Sequence, residues 1–134
     1  MTVGVLIISH NQIGLELINT ARQMLASYSL PAKVISIRVE DDRDTVKQKV
    51  LQTLKETDQG QGTLILTDMY GSTPSNIACD VSEQYDVRIV SGLNLPMLIR
   101  VLNYPLLDLG ALETKALSGG KEGVARCHNS GFDE

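Results

Sequence analysis

Residues 63–76 read Thr63-Leu64-Ile65-Leu66-Thr67-Asp68-Met69-Tyr70-Gly71-Ser72-Thr73-Pro74-Ser75-Asn76. Five β-prone residues end on a carboxylate, a glycine-containing turn follows, and Thr73 with Pro74 makes an N-cap and a first helical residue. The stretch therefore predicts strand, turn and helix in direct succession, the helix continuing through Ile77, Ala78 and Val81. A strand fed straight into a helix is half of a parallel β-α-β unit.

The rest of the chain repeats that unit. Apolar β-rich runs occur at residues 3–8 (VGVLII), 33–39 (KVISIRV) and 86–90 (DVRIV). Ile13, Leu17, Ala21, Met24 and Leu25 share one face of a helix expected over about 12–28. Val46, Val50, Leu51 and Leu54 do the same over 45–54. Asp41, Asp42 and Asp44 open that helix, where carboxylates favour the positive end of the dipole. Residues 95–102 and 106–117 read as two more helices parted by Tyr104-Pro105, with Gly119-Gly120 ending the last. A tail over roughly 122–127 is expected to add a fifth strand.

Four alternations of strand and helix predict an α/β fold: a four-stranded parallel sheet with helices on both faces. The first and third runs are the most continuously apolar, which suits the centre of a sheet in the order 2-1-3-4. Ligands in such sheets bind beyond the carboxyl ends of the strands, where the winding reverses.

Length and composition bound the remaining possibilities. The 134 residues suffice for a single domain, 1–134, and 43% apolar with 21% charged residues is ordinary globular usage. No apolar run approaches the ~18 residues of a membrane span. No basic segment precedes the first apolar run, so a cytoplasmic protein without a signal peptide is expected. The net charge of −4 without a Lys/Arg cluster argues against nucleic acid and anionic membrane surfaces. Cys79 and Cys127 form no CxxC pair and read as buried apolar residues. Two histidines without clustering argue against a metal site, and His128, in a polar tail, reads as solvated.

The chemistry-bearing residues fall at the expected crevice. The first strand ends in Ser9-His10-Asn11 and the third in Thr67-Asp68. Neighbouring strands lie ~4.8 Å apart, so His10 and Asp68 are within hydrogen-bonding reach. A carboxylate on one imidazole nitrogen fixes the tautomer and makes the other a directed nucleophile. The plain alternative is a polar cap at two strand ends. Gly71, Ser72 and Thr73 add backbone N–H groups, hydroxyls and a helix N-terminus suited to a phosphate, though an ordinary N-cap turn has the same residues. Together these describe phosphoryl transfer through a phosphohistidine. Walker A, GxGxxG and GxSxG patterns are absent, and Asp41 and Asp42 follow the second strand, not the first as a receiver domain requires.

At these residues the chain resembles the enzyme IIA domains of the mannose family in the bacterial phosphoenolpyruvate-dependent sugar phosphotransferase system. The resemblance runs from Val3 to about Cys127. It rests on Ser9-His10, on Thr67-Asp68 with Gly71, Thr73, Pro74 and Asn76, and on Ser91-Gly92-Leu93-Asn94-Leu95-Pro96-Met97-Leu98. It implies a phosphotransferase: His10 accepts a phosphoryl group from the histidine phosphocarrier protein HPr and passes it to an enzyme IIB. Asp68 orients the ring and the Thr73 hydroxyl touches the phosphoryl group. It implies a homodimer in which residues 123–127 cross to the partner's sheet, no metal or other cofactor, and contact with the membrane only through permease components. Because the chain stops before any IIB segment, the acceptor is expected to be a separate chain.

Two departures from the family pattern stand out. Asn11 replaces a common Gly after the histidine, and Ser72 stands where a second Gly is usual. If that Gly needs a positive φ, Ser72 carries strain or the loop differs. Two other readings share the histidine chemistry: a regulatory phosphohistidine module without transport, and a IIA-like phosphoryl donor to a dihydroxyacetone kinase. The Gly-x-Asn-Leu-Pro-Met-Leu run favours the mannose branch over the latter.

Overall fold

The computed structural model describes residues 2–26 and 30–127. Its elements in chain order are β1 (Gly4–His10), α1 (Ile13–Met24), β2 (Ala32–Ile37), α2 (Arg43–Thr57), β3 (Thr63–Thr67), α3 (Thr73–Val81), β4 (Val87–Ser91), α4 (Leu95–Leu102) and α5 (Leu109–Glu122). The strands form one parallel sheet in the order β2-β1-β3-β4. This is the expected architecture, with the two most apolar strands at its centre.

Alternation along the strands sorts side chains onto two faces. Val5 and Ile7 of β1, with Leu64 and Leu66 of β3, pack under α1, α4 and α5. Leu6, Ile8 and Ile65 face the other way, under Val46, Val50 and Leu54 of α2 and Ile77, Ala78 and Val81 of α3. Leu6, Ile7 and Ile8 are all fully buried, each contributing about 1.5–3 kcal/mol by removal from water. A strand apolar on both faces has no stable place at a sheet edge; it must be central.

Several expectations need correcting. In α1 the buried stripe is Gly14, Ile18 and Ala21, with Leu17 and Leu25 packed beside it, while Ile13 and Met24 are exposed. The apolar spacing was compatible with two faces, and Ile18, which fits only one, decides between them. The helix ends at Met24, with Leu25 extended, and the end of its expected span, residues 27 and 28, lies outside the described residues. Both cysteines are exposed: Cys79 lies off the inward set Pro74, Ser75, Ile77, Ala78 and Val81 of α3. His128 lies outside the described residues.

The last helix starts and ends later than its sequence suggests. Asp108 caps it by accepting from the Ala111 N–H at 2.9 Å, and it runs through Gly119-Gly120 to Glu122. Those glycines are needed for close approach, not for a turn. A Cβ on Gly119 would meet Arg100 Cβ at 2.8 Å, and one on Gly120 would meet Met97 Cε at 2.7 Å. Residues 124–127 are neither helix nor strand in the single chain. No helix among the described residues is long and apolar enough to cross a membrane.

Candidate active site

The register of β1 and β3 sets Ile8 opposite Thr67, so Asp68 follows immediately beside the end of β1. Asp68 Oδ2 accepts two hydrogen bonds from His10, one from its backbone N–H at 2.9 Å and one at its ring Nδ1, also at 2.9 Å. A carboxylate can only accept, so Nδ1 carries the proton. The Asp68 side chain is 9% exposed, against 39% for His10. The acid is held inside while the imidazole meets solvent. Asp68 Oδ1 is buried without a hydrogen-bond partner among the described residues, so the carboxylate interacts with the site through one oxygen.

The turn after His10 is built for its residues. Asn11 has φ +48°, and Asn is among the few side chains that tolerate this left-handed conformation. Its N–H donates to the Ile37 carbonyl at 2.9 Å, tying the end of β1 to β2. Beneath it, Ser9 is fully buried and its Oγ accepts from the Gly14 N–H at 2.8 Å, fixing the start of α1.

His10, Ile37, Arg38, Val39, Asp41, Arg43, Val46, Thr73 and Ile77 line a cavity of about 320 Å³. Its walls come from the ends of β1 and β2 and the N-terminal turns of α2 and α3. Asp42 caps α2 through the Thr45 N–H (3.0 Å) and hydroxyl (2.9 Å), and these bonds hold its carboxyl below the usual range. Arg43 pairs with Asp80 of α3 at 2.8 Å.

Of the expected phosphate loop, only Thr73 lines this cavity. The N-cap of α3 is Ser72, one residue earlier than expected, with Thr73 and Pro74 inside the first turn. Ser72 has φ −85° and carries no left-handed strain; its hydroxyl turns back to the Met69 carbonyl and leaves the cap without a side-chain acceptor. Gly71 carries the positive φ, +79°, with open space where a Cβ would sit. The loop thus makes its reversal one residue before Ser72. Nothing in sequence spacing marked Arg38, Val39, Asp41 or Arg43 as cavity residues, since they follow β2 and meet His10 only through the sheet.

The 91–98 motif has a structural account. Ser91 Oγ and Thr67 Oγ1 share a hydrogen bond at 2.6 Å, and the Leu93 N–H donates to the Thr67 carbonyl at 3.0 Å. Asn94 caps α4 by accepting from the Met97 N–H at 2.9 Å and donates to the Gly120 carbonyl at 3.1 Å. Pro96 lies in the first turn, and Met97 and Leu98 are buried. The motif locks β3, β4, α4 and α5 together next to the site. Among the described residues, no group of three His, Cys, Asp or Glu could hold a metal ion.

Comparison with known proteins places this site in context. The chain is 29% identical over 131 residues to the PTS system mannose-specific EIIAB component of Escherichia coli strain K12, covering 92% of the chain but 39% of that relative. It therefore spans about two-fifths of the length of the relative. The mannose/sorbose specific IIA subunit of the phosphotransferase system from Enterococcus faecalis superposes with a TM-score of 0.86 at 26% identity, covering 96% of each chain. Phosphotransferase system component EIIA from Streptococcus agalactiae shares the fold, with a TM-score of 0.78 at 20% identity over 92% of this chain and 96% of that one. Residues 4–111 match the family model described as PTS system fructose IIA component (EIIA-man), and the chain belongs to that family.

Proposed function

We propose that the chain is a phosphocarrier of the phosphoenolpyruvate-dependent sugar phosphotransferase system, taking a phosphoryl group from HPr on His10 and passing it to an enzyme IIB. The observation that carries this reading is the Nδ1–Asp68 bond of 2.9 Å on a ring that opens onto the cavity. With Nδ1 protonated, the Nε2 lone pair is the nucleophile. It attacks phosphorus while the P–N bond of phospho-HPr breaks and its electron pair returns to the HPr imidazole. Positive charge then develops on the His10 ring, and the Nδ1–H bond to Asp68 strengthens with it, which is where a preorganised carboxylate lowers a barrier. Thr73 and the uncapped first turn of α3 offer donors to the phosphoryl oxygens.

The surroundings suit a protein partner. Val39, Met69 and Tyr70 are all exposed on the two loops beside His10 and Asp68. Apolar residues around an exposed reactive group favour docking of a second protein surface. We also assign the chain a homodimeric state through residues 123–127. Among the described residues the outer edge of β4 is unpaired, and the exposed Val124 lines a depression together with Val90, Ser91 and Gly92. The regulatory module and the kinase donor use the same His10 chemistry and differ in the acceptor.

Incubation with phosphoenolpyruvate, enzyme I and HPr, followed by intact-mass measurement, tests the reading. The expected result is the gain of a single phosphoryl group, absent in His10→Ala. Labelling that persists in His10→Ala, or its absence from the wild type, overturns it.

A further inference from the structure

We propose that the Arg38 guanidinium binds the phosphoryl group on His10 and so sets how strongly this chain holds it; the proposal rests on the phosphocarrier reading above. Arg38 directly follows Ile37, the last residue of β2 and the register partner of His10. Adjacent strands are ~4.8 Å apart, a distance an arginine stem spans. Both residues line the same cavity.

Charge decides which of the cavity's cations is available. Arg43 is held by Asp80 at 2.8 Å. The Arg38 guanidinium makes no hydrogen bond or ion pair among the described residues, while its backbone N–H donates to Asp41 Oδ2 at 2.8 Å. The turn is fixed and the side chain is left to swing. A phosphoryl group brings about −1.5 to −2 charge near neutral pH, next to Asp41 on the cavity rim and in a chain of net charge −4. That dianion needs a counter-charge, and a planar guanidinium pairs with two phosphoryl oxygens at once.

The test is the equilibrium constant for phosphoryl exchange between HPr and this chain, read from the phosphorylated fractions of both proteins. An equilibrium constant depends only on the free energies of the species, so a residue that merely helps HPr dock alters forward and reverse rates equally. Arg38→Ala is expected to shift the equilibrium toward phospho-HPr by about three- to tenfold, the range of one exposed charge-assisted contact. Arg38→Lys should recover part of the shift. Slower exchange with an unchanged constant in Arg38→Ala overturns the proposal and leaves the phosphocarrier reading intact. A wild type that takes no phosphoryl group from phospho-HPr overturns both.

Discussion

His10 and Asp68 are joined twice through a single oxygen: Asp68 Oδ2 lies 2.9 Å from the His10 backbone nitrogen and 2.9 Å from its Nδ1. The first bond sets where the end of β1 stands relative to β3, and the second sets the ring's rotation and tautomer. Neither depends on the loop beyond. The imidazole proposed as the nucleophile is therefore oriented by the sheet.

Removing that carboxylate should slow phosphorylation without unfolding the protein. A charge-assisted hydrogen bond contributes about 1.5–3 kcal/mol, or roughly ten- to a hundredfold in rate if fully felt in the transition state. Asp68→Ala is expected to lose that much in rapid-quench transfer from phospho-HPr, with His10 still the labelled residue. Thr73→Ala should lose less, because backbone N–H groups of the α3 turn remain. A wild-type rate in Asp68→Ala would refute the orienting role.

Gly14 should resist any side chain. A Cβ there would stand 2.5 Å from Ile7 Cγ2 and 2.7 Å from Ser9 Oγ, both fixed in the central strand. Gly14→Ala is expected to destabilise the fold by about 1–3 kcal/mol through overpacking. Chemical denaturation measures this directly; an unchanged midpoint and slope would contradict the packing described.

Asn11 occupies the left-handed region at φ +48°. Asn11→Gly should leave stability within about 1 kcal/mol, since glycine takes this conformation freely but loses more entropy on folding. Asn11→Val, β-branched, should cost about 1–2 kcal/mol and displace His10. Equal thermal stability of the two variants would show that the turn does not need this geometry.

The tail assignment has its own test. Truncation after Glu122 removes the segment proposed to pair with the partner's sheet while leaving α5 whole. The shortened chain should dissociate at concentrations where the full chain is dimeric, as light scattering would report. A monomeric full chain would reject the exchange.

How far the sequence led follows from the range of each signal. The 63–67 strand and the 95–102 helix lie where local pattern places them, because each is bounded by its own punctuation: Asp68 and Gly71 after one, Asn94 and Pro96 at the start of the other. The His10–Asp68 pair was legible for a different reason. Two strand ends of matching polarity in adjacent apolar strands leave few alternative registers. Gly119 and Gly120 misled because a helix-breaking pair and a close-packing pair look alike until Arg100 and Met97 are seen against them. Arg38 was silent, since only the lateral pairing of β2 with β1 brings it to His10.

The central claim, that Asp68 leaves Nε2 as the attacking nitrogen, is tested most directly by nitrogen-15 NMR of the phosphorylated protein labelled in its imidazoles. Phosphorus coupling should appear at Nε2 of His10, with Nδ1 still protonated and bonded to Asp68. Coupling at Nδ1 would mean that the Asp68 bond is broken in the product, and the account of the site would be wrong.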